Sequence, residues 1–159
     1  MPIARDPGHR LYLLGGRQQV HLLAALVPPR DMPEHRPTIL NVALNEPLLK
    51  SRSAILEKAG YEVVAALNLL QVEAACKTHR VFSLVIIGYA LPKEERRRVI
   101  ASVRQRCGPT PILELYPHGT APVDEHADEQ LPSPEDPNVL LTKISEVLAK
   151  KRKGRRAAP

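Results

Sequence analysis

Several groups of side chains in this 159-residue sequence have types that could carry chemistry. His118 and His126 flank Asp124 and Glu125 in one polar segment. Imidazoles and carboxylates are metal-ligand types, but their spacing matches no known ligand pattern, so a solvated loop is expected and no metal or cofactor. Ser133 and Tyr116 are a hydroxyl nucleophile and a phenolic acid by type. Nothing in the sequence places a base beside either, so the chain is not read as an enzyme. No glycine-rich phosphate loop is present, which argues against nucleotide or flavin binding. Arg96, Arg97 and Arg98 stand in a row, and a second basic run holds Lys150, Lys151, Arg152, Lys153, Arg155 and Arg156. Both runs are candidates for holding an anion or a partner. Cys76 and Cys107 are too few for a disulfide scaffold or a cysteine-rich zinc site. Reduced thiols are expected, with Cys76 a small core residue and Cys107 partly exposed at a helix end.

The charge is uneven. Lys150–Arg156 holds six basic residues and no acid, equal to the whole formal charge of +6, so the rest of the chain balances to zero. Met32–Ala149 is slightly acidic, with 13 basic and 15 acidic residues. The pI of about 9.6 therefore belongs to the terminal run, a distribution unlike that of a whole-surface nucleic-acid binder. Aromatic residues make up 3% and Trp is absent, which excludes a stacking platform for bases. No apolar run approaches the ~20 residues of a membrane span. A cytoplasmic protein is expected.

The elements that would position these residues are legible from residue 37 onward. Thr38–Ala43, Tyr61–Ala65, Phe82–Ile87 and Pro111–Leu115 are short β-rich runs, and a short fifth strand is expected near Gln130–Leu131. Between them lie helical stretches. Asn45 caps the first, with Leu48, Ile55, Leu56 and Ala59 at helical spacing and Gly60 as its stop. Asn68 caps the second, in which Leu69, Val72, Ala75 and Cys76 share a face. Glu94–Arg106 is the third, with Val99, Ile100 and Val103 inward and its arginines outward. Asp136 and Pro137 open the last, with Leu140, Ile144, Val147 and Leu148 on one face. Strands alternating with helices through short loops predict a parallel α/β sheet with right-handed crossovers. Residues 1–36 hold five prolines and a Gly15-Gly16 pair and read as a loosely ordered leader. Residues 37–149 are the folded domain, and residues 150–159 read as a disordered basic tail.

In this order and spacing, the segments ILNVALNEPLL, AILEKAGYEVVAA, FSLVIIGYALP, TPILELY and LPSPEDPNVLLTKISEVL resemble a response-regulator receiver domain. The resemblance implies a flavodoxin-like, doubly wound sheet of five parallel strands in the order 2-1-3-4-5. Only 14 residues lie between Tyr116 and Gln130 counting Gln130 itself, so the fourth helix of that fold is expected to be shortened or missing. The family transfers a phosphoryl group to an aspartate after the third strand. A Mg²⁺ ion held by two acids after the first strand, a Thr or Ser ending the fourth, and a Lys after the fifth neutralise the developing charge.

Those positions fall here on Gly88 for the acceptor, Leu44 and Asn45 for the acidic pair, Tyr116 for the Thr/Ser and Ser133 for the Lys. Glycine has no carboxylate, and Leu44 no oxygen for a metal. The resemblance therefore implies a pseudo-receiver of two-component phosphorelay signalling, acting by protein–protein contact with a kinase, regulator or other component. The alternative expectation is a nucleic-acid-associated protein, or one held at an anionic surface, bound through the basic tail and the Arg patch.

Overall fold

The computed structural model describes residues 36–78, 81–120 and 126–157. Nine elements follow in chain order: β1 (Thr38–Val42), α1 (Glu46–Lys58), β2 (Glu62–Ala66), α2 (Leu69–Thr78), β3 (Leu84–Ile87), α3 (Lys93–Arg106), β4 (Ile112–Tyr116), β5 (Glu129–Pro132) and α4 (Pro137–Ala157). The five strands are parallel and lie in the order β2-β1-β3-β4-β5. This is the flavodoxin-like doubly wound sheet expected from the sequence. Between β4 and β5 the described residues, 117–120 and 126–128, contain no helix. The expected leader lies outside the described residues, apart from Arg36.

Local chemistry explains the boundaries. The Asn45 side chain accepts from the Leu48 backbone N–H at 3.1 Å, and Pro47 sits in the first turn of α1, where a missing N–H costs nothing. Gly60, at φ 97°, turns the chain out of α1 in the left-handed conformation that glycine tolerates best. At α2 the Asn68 side chain accepts from Gln71 N–H at 2.9 Å, and the Gln71 side chain accepts from Leu67 N–H at 2.7 Å.

The sheet separates two apolar cores. Leu40, Val42, Val85, Ile87 and Ile112 face α2 and α3, against Val72, Ala75, Val99 and Val103. Ile39, Leu84, Ile86, Leu113 and Leu115 face the other way, against Leu56 of α1 and Leu140, Ile144 and Val147 of α4. The three central strands, β1, β3 and β4, read as near-continuous apolar runs because each is covered on both faces, while the edge strands β2 and β5 stay partly exposed.

Three expectations are corrected. The inward face of α1 is Leu49, Arg52 and Leu56, while Leu48 is 39% exposed. An arginine inside the stripe breaks the apolar period and displaces the face that hydropathy alone selects. Second, Lys150–Arg156 does not leave the body as a disordered tail: α4 runs on to Ala157. Lysine and arginine are good helix formers, cations suit a helix C-terminus, and Lys151 is tied down by donating to the carbonyls of Phe82 (3.3 Å) and Ser83 (3.4 Å).

Third, Cys76 and Cys107 are joined in a disulfide, and both are buried. The crossovers place α2 and α3 side by side on one face, so the last turn of α2 meets the C-cap of α3 with Cα atoms 5.3 Å apart. The pair closes a loop with a sequence separation of 31, which in the chain-entropy account is worth roughly 3–4 kcal/mol. Melting with and without reductant should give a midpoint lower by several degrees in the reduced protein. The Cys76→Ala/Cys107→Ala double variant should melt low in both conditions. Equal midpoints for the wild type in the two conditions would refute the bond.

Candidate functional site

Parallel strands bring their carboxyl ends to one edge of the sheet. There Ala43 follows β1, Gly88 follows β3, Tyr116 ends β4 and Ser133 follows β5. Gly88 N–H donates to Val42 O at 2.8 Å, and Ser133 N–H donates to Tyr116 O at 2.7 Å, so neighbouring strand ends are bonded in pairs. The positions Gly88, Tyr116 and Ser133 are thus carried to the same edge by the topology. Leu44 and Asn45 open α1 at that edge, but neither is aimed at Gly88. Leu44 is 47% exposed, and the Asn45 side chain is spent on the helix cap. The residue of this loop that faces the Gly88 position is Ala43, whose Cβ lies 3.4 Å from where a Gly88 Cβ would stand.

The same reference point reveals a residue that hydropathy reading does not select. Arg52 Nη1 lies 3.3 Å from the Gly88 Cβ position. Arg52 is buried under the sheet edge and donates from Nη1 to Asn41 Oδ1 at 3.2 Å. Asn41, fully buried on β1, is fixed in turn by donating to Ser53 Oγ at 3.1 Å and Leu49 O at 3.4 Å. Burial pushes the Arg52 guanidinium below its ordinary pKa, against a smaller opposing influence of the Tyr89 phenol. The resemblance would place Mg²⁺ at this edge. The residues do not fit one: Ala43, Leu44 and Gly88 offer no side-chain oxygen, and a guanidinium stands where a divalent cation would need carboxylates. Among the described residues no three His, Cys, Asp or Glu side chains form a ligand group.

The Arg patch divides. Arg97 and Arg98 are exposed, but Arg96 is buried and ion-paired with the fully buried Glu114 of β4. Its Nη2 also donates to Leu91 O at 2.9 Å and Tyr89 O at 3.4 Å. Arg96 is therefore no surface ligand for an anion or partner; it braces the loop that follows Gly88 against β4. Gln130 Nε2 donates to the other oxygen of Glu114 at 3.4 Å. The single acid in the apolar run PILEL was the signal in the sequence for a buried pair.

The second basic run divides as well. Glu129 accepts from Lys143 at 2.8 Å and Lys150 at 2.7 Å, and these two bonds hold its carboxyl below the usual carboxylate range. With Lys151 bonded to backbone, Arg152, Lys153, Arg155 and Arg156 remain exposed and, among the described residues, in no ion pair. His126 belongs to the β4–β5 connection, and Asp124 and Glu125 lie outside the described residues.

No protein-family model matches the chain, and no curated protein matches it. Solved structures do. A CheY-like response regulator receiver domain protein from Methanospirillum hungatei JF-1 is 27% identical, covering 75% of this chain and 98% of its own, with a TM-score of 0.62. The chemotaxis protein CheY4 of Vibrio cholerae is 24% identical over 70% of this chain and 98% of its own, at 0.59. The signal receiver domain of an HD domain-containing protein from Pseudomonas fluorescens Pf-5 is 21% identical over 75% and 99%, at 0.63. The fold is a doubly wound α/β sheet, and it is the fold of the CheY-like receiver domains.

The Arg96–Glu114 pair makes a testable contribution. Glu114→Leu alone leaves a buried, unpaired guanidinium and should cost ~3–5 kcal/mol in urea unfolding. The Arg96→Met/Glu114→Leu double variant should recover most of that loss, since two apolar side chains leave no charge to desolvate. Additive losses in the double variant would show that the two residues do not act as a pair.

Proposed function

We propose that this chain is a receiver-type module of two-component signal transduction that does not accept phosphate on aspartate and acts by contact with another protein. The observation that carries this reading is the inverted charge at the carboxyl edge of the sheet. Gly88 stands at the acceptor position, and the Arg52 guanidinium is packed against it. Transfer to a carboxylate needs a nucleophilic oxygen and cations arranged around the incoming phosphoryl oxygens. Here the nucleophile is absent, and the cation lies on the side of the nucleophile. The neighbours with this fold include proteins described as response regulator receiver domains, which supports a place in signalling and leaves contact as the means of output. A signalling kinase, regulator or other component of such a pathway is the expected partner.

A cytoplasmic setting belongs to the same reading, and no helix among the described residues is long and apolar enough to cross a membrane. The Cys76–Cys107 bond is of a kind that persists in oxidising compartments. Trapping the thiols by alkylation in intact cells decides between the two settings.

Incubation with acetyl phosphate and Mg²⁺ should leave the intact mass unchanged. A stoichiometric, hydroxylamine-labile phosphoryl adduct would overturn the proposal. Gly88→Asp should not confer efficient labelling, because the new carboxylate would pair with Arg52 in a site with no acidic ligands for the metal.

A second reading rests on the exposed end of α4. Arg152, Lys153, Arg155 and Arg156 form a basic helical turn suited to phosphate backbones. If these four neutralise phosphates, log K for duplex DNA should fall against log salt with a slope of about −4 and show no sequence preference. Removing residues 152–159 should abolish that binding without unfolding the domain, since it spares Lys150 and Lys151. Sequence-selective binding that survives the truncation would make this a DNA-reading protein.

A further inference from the structure

We propose that a groove at the amino ends of β4 and β5, between the loop that follows α3 and the carboxyl-terminal half of α4, binds a small monocarboxylate with an apolar body, its carboxylate on Lys151. The site lies at the opposite edge of the sheet from Gly88 and does not rest on the signalling role above.

The groove has a volume of about 400 Å³, in the range of small-molecule sites. Its charged lining does not cancel. Arg104 is spent on Asp128 at 2.8 Å, and its guanidinium also donates to the carbonyls of Thr110 (3.2 Å) and His126 (3.3 Å). Lys150 is spent on Glu129 at 2.7 Å. Lys151 is the cation left over: it is half-buried and, among the described residues, in no ion pair. Its ammonium donates to the carbonyls of Phe82 at 3.3 Å and Ser83 at 3.4 Å, both longer than the usual N–H···O range. Burial, and after it the positive charge of Arg155, hold the Lys151 amine below its ordinary pKa. A carboxylate within reach of Nζ would offset both. One uncompensated charge, with the carboxylates of Asp128 and Glu129 in the same groove, is matched by a monoanion better than by a dianion.

One wall of the groove is apolar and held in place. Pro109 and Pro111 line it, and neither ring carries an N–H that needs a partner. Thr110 between them is buried, and its hydroxyl lies within hydrogen-bond distance of the carbonyls of Cys107 (3.2 Å) and Phe82 (3.3 Å). Gly108, at φ 73°, makes the turn from α3 into this wall, and Cys107 is tied to α2 by the disulfide. The Phe82 carbonyl is shared by Thr110 and Lys151, so the wall and the cation are anchored on the same atom. Val147 of α4 adds apolar lining. A pre-formed apolar cleft with one unspent charge selects an apolar body bearing one anionic group, the body against the prolines and Val147, the carboxylate at Nζ. Acetate would meet the charge without filling the apolar part, and an uncharged alcohol would do the reverse.

The test uses the full chain in buffer of constant ionic strength. Benzoate, benzyl alcohol and acetate are titrated separately while the backbone amide spectrum is followed. Benzoate should shift the Thr110, Val147 and Lys151 amides with saturation, and benzyl alcohol and acetate should each bind about tenfold more weakly. Lys151→Met keeps an apolar stem, removes the charge and should bind benzoate about tenfold more weakly while remaining folded. Lys58→Met, which removes an exposed cation at the end of α1, should bind like the wild type. Benzoate binding no tighter than benzyl alcohol would show that the charge is not read, and no tighter than acetate that the apolar walls are not. Either result overturns the proposal, as do an unchanged response in Lys151→Met and the lack of a saturable benzoate response in the wild type. Should Lys151→Met not fold, the wild-type shifts decide alone: shifts confined to the exposed arginines and lysines, and absent at Thr110 and Val147, overturn it equally.

Discussion

The burial of β3 on both faces is the constraint from which the rest of the structure follows. Leu84 and Ile86 enter one core, Val85 and Ile87 the other, and all four are fully buried. Two layers of helices must cover such a strand, and short right-handed crossovers supply them. With both faces sealed, chemistry can gather only at the ends of the strands. The residue that leaves β3 at the carboxyl end, Gly88, is therefore placed at the edge by packing and not by any property of its own. Its hydrogen bond to Val42 O continues the β1–β3 ladder to the point where the two chains diverge.

The two cores bury one arginine each and resolve the cost differently. On the α3 side, Arg96 meets Glu114 of β4, and the two charges cancel. That arrangement also ties down the backbone of Tyr89 and Leu91, so the loop after Gly88 is held by a side chain rather than by regular structure. On the α1 side, Arg52 meets, among the described residues, only an amide oxygen. Buried charge is tolerated when it is paired, and a paired arginine is structural by default. Arg52 has no acid opposite it among the described residues and is held instead through the Asn41 amide.

Much of this was legible in the sequence. Strand runs covered on both faces, Asn45, Asn68 and Asp136 at helix starts, and Gly60 at a helix stop sufficed for order, topology and core, because each element was coded by local signals that agreed with the global pattern. The errors share one cause. By type Arg96 belongs on the surface and Arg52 gives no sign of burial, so hydropathy misplaces the inward face of α1 and counts the whole patch on α3 as exposed. Hydropathy scores a side chain alone, whereas burial of a charge depends on a partner far along the chain: 18 residues separate Arg96 from Glu114. The cysteines were missed for the same reason, since their meeting depends on which face of the sheet α2 and α3 share. Lys150 and Lys151 read as part of a disordered tail because the anchors that order them lie far along the chain: Glu129 in β5 and the carbonyls of Phe82 and Ser83 just before β3.

The residues at the sheet edge make sense as a set rather than as separate losses. An acidic acceptor with metal-binding acids is a concentration of negative charge that needs cations brought from outside. Here the cation is built in, on α1, and the position opposite it has no side chain. Restoring a carboxylate at Gly88 would satisfy Arg52 internally, lower the basicity of the new oxygen and leave it a poor nucleophile. Removing Arg52 would relieve the buried charge but supply no acid. Neither change alone leads back to the family's chemistry, because each residue present is suited to the other. An edge in which a guanidinium is packed against the acceptor position is organised around a fixed positive charge, the opposite of the arrangement that phosphoryl transfer to a carboxylate requires.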